Sequence, residues 1–231
     1  MTPPTIPELT PKDGMTTQEY AYLRLRNAIM VGALKPGTAL TFRGLAQQLD
    51  LSPTPIREAV RQLSTENAIE VLGNRRLRVP DLGMGRFDEL VALRITLEIH
   101  AAKRAFPYLS EIAIQEMTTI DDLMDEAVRD HDLDGLTRLN HRFHRLLYCL
   151  NPHQAAMPQI ESIWLQLGPF QRQVIEKLNT IYTVDHHKEM LAAMRDRNLP
   201  ALCTAIERDI HDGSIRLGRQ ILSNAADATP R

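Results

Sequence analysis

Pro53 and Pro55 stand two residues apart inside "LAQQLDLSPTPIREAVRQL", Leu45 to Leu63, a stretch that otherwise reads as two short amphipathic helices broken by Asp50, Leu51 and Ser52. Proline lacks an amide hydrogen and is tolerated in a helix only in the first turn, where amides have no intrahelical partner. The second helix must therefore begin at the prolines, with Ser52 placed to cap it. A helix start stiffened in this way suits a helix-turn-helix, whose second helix inserts its N-terminal turn in the major groove and gains from being ordered beforehand.

The flanking sequence completes such a unit. "TTQEYAYLRLRNAIMVGAL" has apolar residues at helical spacing, with Thr16 or Thr17 as its cap and Gly32 near its stop, and "KPG" turns the chain. Helices are expected at Arg43–Leu49 and Thr54–Thr65. "AIEVLGNRRLRV" alternates apolar residues about Gly73 and Asn74, the pattern of a β-hairpin. Three helices and a hairpin predict a winged helix-turn-helix over residues 16–80, preceded by an arm, residues 1–15, whose four prolines predict disorder.

Charge supports a nucleic-acid partner for this part. Between Thr16 and Pro80 nine Lys/Arg stand against five Asp/Glu, while from Asp81 onward 17 stand against 22. The net charge of −2 conceals a basic N-terminal part on an acidic body, and phosphate attraction follows the local positive face. A winged helix that bound protein instead would predict a neutral third helix.

The remainder reads as helix. Glycines in "VPDLGMG" mark a linker at residues 81–86, and helical patterns follow from Phe87 through roughly Ser110–Arg129, Leu133–Leu150, Ala155–Leu178, Thr183–Arg197 and Leu199–Leu222, with a tail at 223–231. Six such helices predict an antiparallel bundle, so the fold class is mainly α: an N-terminal winged helix-turn-helix plus a C-terminal antiparallel α-helical bundle. With 43% hydrophobic residues in 231, the chain can bury a core. No run of eighteen apolar residues and no signal-peptide pattern occurs, so a cytoplasmic protein with no membrane association is expected. Cys149 and Cys203 stand singly and indicate no redox chemistry.

Chemistry concentrates on the histidines. "LNHRFHRLL" places Asn140 and His144 four residues apart on one helix face, as a pair of metal ligands requires. His187 shares a face with Met190, Leu191 and Met194 and should point inward. "IERDIHDG" offers Asp209 or His211, which cannot both serve because residues two apart point about 200° apart on a helix. Leu202, Ile206 and Asp209 share one side and His211 lies with Thr204, Glu207 and Arg208 on the polar side, so Asp209 is the expected ligand and His211 the exposed residue.

These motifs resemble a known family. The segment from Tyr20 to Val79 looks like the DNA-binding domain of GntR-type bacterial transcription regulators, through the "KPG" turn, "LAQQL" and "SPTPIREAVRQL". By matching position the resemblance implies DNA contacts from Arg43, Ser52, Thr54 and Arg57, with wing residues Asn74, Arg75 and Arg76 behind them. The chain departs from the pattern at Pro53, where an arginine commonly touches bases. Residues from Phe87 to about Leu222 resemble the ligand-binding FCD bundle of the FadR-type branch, carried by Arg94, Leu97, Glu98, Ala101 and Ala102 and by Asn140, Phe143, His144 and Leu147. That likeness implies a divalent metal, zinc or nickel, held by Asn140, His144, His187 and Asp209 below a pocket for a small organic acid. Arg94 joins Asn140, His144 and His187 around the effector in this reading, or else forms only an intrahelical ion pair with Glu98. Asn140 stands where Asp is commoner, and Asp209 would restore the charge so lost.

Two functions follow. One is a homodimeric regulator that binds a palindrome in double-stranded DNA and responds to an effector in the bundle. The alternative is a metal-dependent hydrolase using the histidine cluster, although the chain has no HExxH and no nucleophile motif.

Overall fold

The computed structural model describes residues 5–73, 76–178 and 186–227. Helix α1 (Thr17–Met30) opens with a capping box, Thr16 Oγ1 accepting from the Glu19 amide and the Glu19 carboxylate accepting from the Thr16 amide at 2.8 Å. Two amides that would otherwise lack partners are thereby satisfied. The chain leaves α1 through Gly32 at φ +72°, a region that costs any residue with a Cβ. Strand β1 (Ala39–Thr41) runs straight into α2 (Phe42–Leu49), capped by the Thr41 side chain on the Gly44 amide.

Helix α3 (Pro53–Thr65) begins at the prolines, with Ser52 in the capping position. Its side chain nevertheless makes no capping hydrogen bond. The physical reason lies in Pro55: a cap bonds the amide of the second or third helical residue, and Pro55, the third, has none. Only Thr54 among the first three residues of α3 carries an amide hydrogen.

The expected hairpin forms from β2 (Glu70–Leu72) and β3 (Arg76–Arg78), antiparallel with Val71 opposite Leu77. Strand β1 adds to the other side of β3, with Leu40 opposite Leu77, giving the order β1-β3-β2. A three-residue strand is too short to show alternation, so β1 escapes a pattern-based reading. Leu77 lies buried with Leu25, Ile29, Leu45, Ile56, Leu63 and Ile69 in one apolar core.

That core also takes in Ile6, within the arm expected to be disordered. The side chain of Arg24, 6% exposed, donates to the carbonyls of Ile6 at 3.1 Å and Pro7 at 3.3 Å. A buried guanidinium needs acceptors, and the arm supplies them. Arg24 thus anchors the arm and contributes little to a DNA-facing surface.

The chain divides into two compact units between Leu82 and Gly83, and the first also includes Trp164–Arg172 of a later helix. Within this unit Gly168 lies so close to the backbone of Ile29 and Met30 that a Cβ there would meet the Met30 carbonyl at 2.5 Å.

The second unit is helical. Its helices are α4 (Met84–Ala105), α5 (Glu111–Arg129), α6 (Leu133–Tyr148), the two ends of α7 (Met157–Leu178), whose middle Trp164–Arg172 belongs to the first unit, α8 (His186–Arg195), α9 (Leu199–Ile210) and α10 (Arg216–Asp227). Polar caps set several starts: Ser110 on Ala113, Asp132 on Gly135 and Asn198 on Ala201. Helix α4 begins at Met84, so Gly85 belongs to the helix and not to a linker. A π turn, His211–Ile215, interrupts the helix expected over Leu199–Leu222. Helix α6 packs on α4 and α5, and α9 packs on α4 and α8, which brings α4, α6, α8 and α9 around one interior. Among the described residues, no helix is long and apolar enough to cross a membrane.

Tyr22 ties α1 to the end of α3 by donating to Glu66 Oε1 at 2.7 Å. Partial burial and the Glu66 carboxylate push its phenol up to about 12. The unfolded chain releases that proton near pH 10, so between pH 10 and about 12 the folded state holds more protons and stability falls as pH rises. Urea titrations across this window should show a steeper loss for the native sequence than for Tyr22→Phe, with no such difference below pH 9.

Candidate nucleic-acid interface and candidate metal centre

In the first unit, Arg43, Ser52, Thr54 and Arg57 are all exposed around the junction of α2 and α3. The Arg57 guanidinium rests 5.2 Å from the centre of the Phe42 ring, which supports it without an opposing charge. Other arginines of the basic stretch are engaged: Arg26 with Glu66, Arg61 with Glu58, and Arg78 with both Glu70 and Asp81. Among the described residues Arg43, Arg57 and Arg76 make no ion pair. Among the described residues of that stretch the unpaired positive surface therefore lies at Lys35, the start of α2, the first turns of α3 and the wing. Asn74 and Arg75 lie outside the described residues.

In the second unit, α6 contributes His144, the first turn of α8 contributes His187, and the last turn of α9 contributes Asp209. Each lies on the inward stripe of its helix, beside Phe143 and Leu147, Met190 and Met194, and Leu202 and Ile206 respectively. Their ligand atoms all fall within 4.8 Å of one another. The two Nε2 atoms are 3.4 Å apart, His144 Nε2 is 3.3 Å from Asp209 Oδ2, and His187 Nε2 is 4.0 Å from Asp209 Oδ1. The Phe143 ring meets both imidazoles edge-on and closes one side to water.

Atoms bound to one tetrahedral zinc at about 2.0–2.1 Å lie about 3.3–3.4 Å apart. The two separations from His144 Nε2 match that edge, whereas His187 Nε2 lies 4.0 Å from the other Asp209 oxygen, Oδ1, so one carboxylate oxygen meets both imidazoles only after a shift of Asp209 or His187. Electrostatics agrees with the donor set. Burial alone would push the Asp209 carboxyl up, but the bond from His144 and the fields of His187, His144 and Arg94 hold it well below the ordinary carboxylate range. The group stands ready as an anion.

The flanking histidines face elsewhere. His186 bonds Glu189 at 3.0 Å and Asp212 at 2.9 Å, and His211 is exposed beside Asp212. Asn140 sits one turn before His144 on the same face of α6 and is half-buried.

Sequence comparison bears on both units. Residues 17–79 match the model for bacterial regulatory proteins of the gntR family, and residues 89–212 match the FCD domain, more than half of the chain. The chain belongs to the GntR family and carries an FCD domain. Similar proteins include the HTH-type transcriptional regulator McbR of Escherichia coli K12, 29% identical over 75% of this chain and 80% of that one. The gluconate operon transcriptional repressor of Bacillus subtilis is 21% identical over 88% of each. Among solved structures, E. coli McbR/YncC shares the fold with a TM-score of 0.79 at 24% identity, over 92% of this chain and 99% of that one. A GntR regulator from Rhodococcus sp. RHA1 does so at 0.72 and 22%, over 90% and 99%. This GntR protein is thus a transcription regulator and not an enzyme, and the hydrolase alternative has no support.

Around the cluster the regulator holds a buried polar chain that includes Glu98, expected as the partner of Arg94, and Tyr148, which pattern reading passed over. Glu98, with no exposed surface, accepts from Arg94 Nε at 2.6 Å and from the Tyr148 hydroxyl at 2.7 Å, and Tyr148 meets His144 Nδ1 at 3.2 Å. Tyr148 was visible in principle, four residues beyond His144. Asp121 of α5 is 3.9 Å from His187 Nδ1 and 3.6 Å from the Lys188 ammonium, and nothing local in the sequence announces it. Arg94 does pair with Glu98, buried on α4.

Replacing Arg57 by Ala should weaken operator binding by about 1–3 kcal/mol. Arg61→Ala, removing a guanidinium already paired with Glu58, should cost less, as fluorescence anisotropy with the same duplex would report.

Proposed function

We propose that this GntR regulator binds a palindromic operator as a homodimer and that His144, His187 and Asp209, with Asn140, hold a divalent metal. Zinc and nickel suit a set of imidazoles, a carboxylate and an amide. The observation that carries the metal reading is the convergence of two buried imidazole Nε2 atoms and an ionised carboxylate at the spacing of a tetrahedral edge. Lone pairs at that distance repel unless a proton or a cation lies between them. The metal would supply a Lewis-acidic anchor for one end of a small organic acid. Arg94, 6% exposed and close enough to act on Asp209, would add positive potential at the same place. Effector binding there would bias the arrangement in which the winged helices meet DNA.

A two-fold protein matches a palindrome by symmetry. Leu93 of α4 and Ile112 and Leu123 of α5 stay exposed on the helical unit, apolar side chains of the kind that contact with a second copy would cover. The cytoplasm is the compartment this activity requires.

Metal content tests the site directly. Asp209→Ala purified after growth with zinc or nickel should lose most of its metal, while His211→Ala should keep it. Loss in the His211 variant alone would refute the assignment. With metal restored, a screen of small carboxylates should raise the melting temperature of the native protein, since a ligand specific to the folded state stabilises it.

A further inference from the structure

Arginines of the basic unit are held in two different ways. Arg61 gives its Nε–H to Glu58 Oε2 at 3.0 Å, and Arg78 gives Nε–H and Nη2–H to Glu70 Oε2 at 3.1 and 2.7 Å. A carboxylate fixes a guanidinium, but it occupies donors and cancels the charge. Arg57 is exposed, makes no ion pair or hydrogen bond among the described residues, and lies over the Phe42 ring, 5.2 Å from its centre. A ring face attracts the cation through its quadrupole and leaves the planar fork of N–H donors, with its full charge, for another partner. Arg24 also lies over a ring, that of Tyr20, but it is buried and gives its donors to the arm.

We infer that Phe42 is a positioning residue for sequence reading: its ring holds the Arg57 guanidinium ready to give two N–H groups to the O6 and N7 acceptors of one guanine in the major groove. The ring is itself fixed. Phe42 is the first residue of α2, directly after β1, whose Leu40 pairs with Leu77 and whose Thr41 caps the helix on the Gly44 amide at 3.0 Å. Its half-buried side chain packs against the winged-helix core. Arg57 opens the second turn of α3, and Pro53 and Pro55 stiffen the turn before it. The N-terminal residues of a recognition helix meet base edges, and a planar fork fits a guanine edge with two parallel bonds. An unsupported arginine loses rotamer freedom on meeting DNA, and the ring removes part of that loss beforehand.

The inference rests on the reading of Arg57 as a DNA contact, and the experiment separates the two. The probes are the strongest duplex that the full-length native protein enriches from a random pool, and the set of duplexes that each change one base pair of it. In anisotropy titrations Phe42→Leu and Phe42→Met, apolar replacements without a ring face, should bind the enriched duplex about 2–5-fold more weakly. Their preference should weaken at the same G·C pair at which Arg57→Ala loses it, and nowhere else. The salt dependence should stay native, because no phosphate contact is removed. Phe42→Tyr keeps the ring face and should keep native discrimination, and in an Arg57→Ala background Phe42→Leu should change nothing further. A loss of equal size with and without Arg57 gives the ring a packing role only and overturns the inference. A loss spread evenly over all duplexes, with a salt slope lower by about 1 in Arg57→Ala, marks a phosphate contact and overturns it too. Native discrimination in both ring-less variants overturns the role of Phe42 and leaves Arg57 as a contact. Native binding by Arg57→Ala overturns the contact reading, and the inference with it.

Discussion

A carboxylate with no access to water is tolerated only while every lone pair it presents is met, and Glu98 in the middle of α4 imposes that condition on the helical unit. Arg94 meets one oxygen from a turn earlier on the same helix, and Tyr148 meets the other from α6. Removing one partner of a buried pair typically costs about 3–5 kcal/mol, mostly through the charge left behind. The pair is therefore weak evidence for stability and strong evidence for register, because α4 and α6 can slide or rotate only by breaking it. His144 inherits its place from that register, and the spacing to Asp209 and His187 follows from where α9 and α8 pack on α4 and α5.

The winged helix obeys an equally local rule. Pro55 removes one of the two amides that a capping side chain would use and Pro53 removes the one before them, so the first turn of α3 presents one amide, Thr54, and two hydroxyls, Ser52 and Thr54. Those donors and acceptors have few protein partners to compete with a phosphate. Beside them the Phe42 ring carries the Arg57 guanidinium, an attraction that orients a cation without neutralising it. Glu58, Glu66 and Glu70 meanwhile engage arginines elsewhere on the unit. The usable positive surface is smaller than a count of basic residues implies.

Helical periodicity and proline placement made the fold legible, since both are local properties of the chain: the start of α3, the wing hairpin and the helices from Phe87 to Leu178 lie within a few residues of their expected bounds, while the expected start at Thr183 lies outside the described residues and the π turn divides the last helix. The inward sides of α6, α8 and α9 were readable for the same reason, and His144, His187 and Asp209 meet while His211 stays exposed. What stayed hidden depends on pairing between distant segments. Strand β1 exists because Leu40 finds Leu77, Ile6 is buried because Arg24 bonds its carbonyl, and Asp121 reaches His187 across two helices. Ser52 shows a different failure, in which the position is right and the expected bond is absent because of a residue three places on.

The π turn at His211–Ile215 has a bearing on how such a chain can vary. A π turn holds one residue more than the α turn it replaces, so it absorbs a change in segment length without propagating it upstream. Asp209 lies before the turn and α10 after it. The angular phase that aims Asp209 inward is thus insulated from whatever α10 must face, and the two ends of this region can be altered independently of each other.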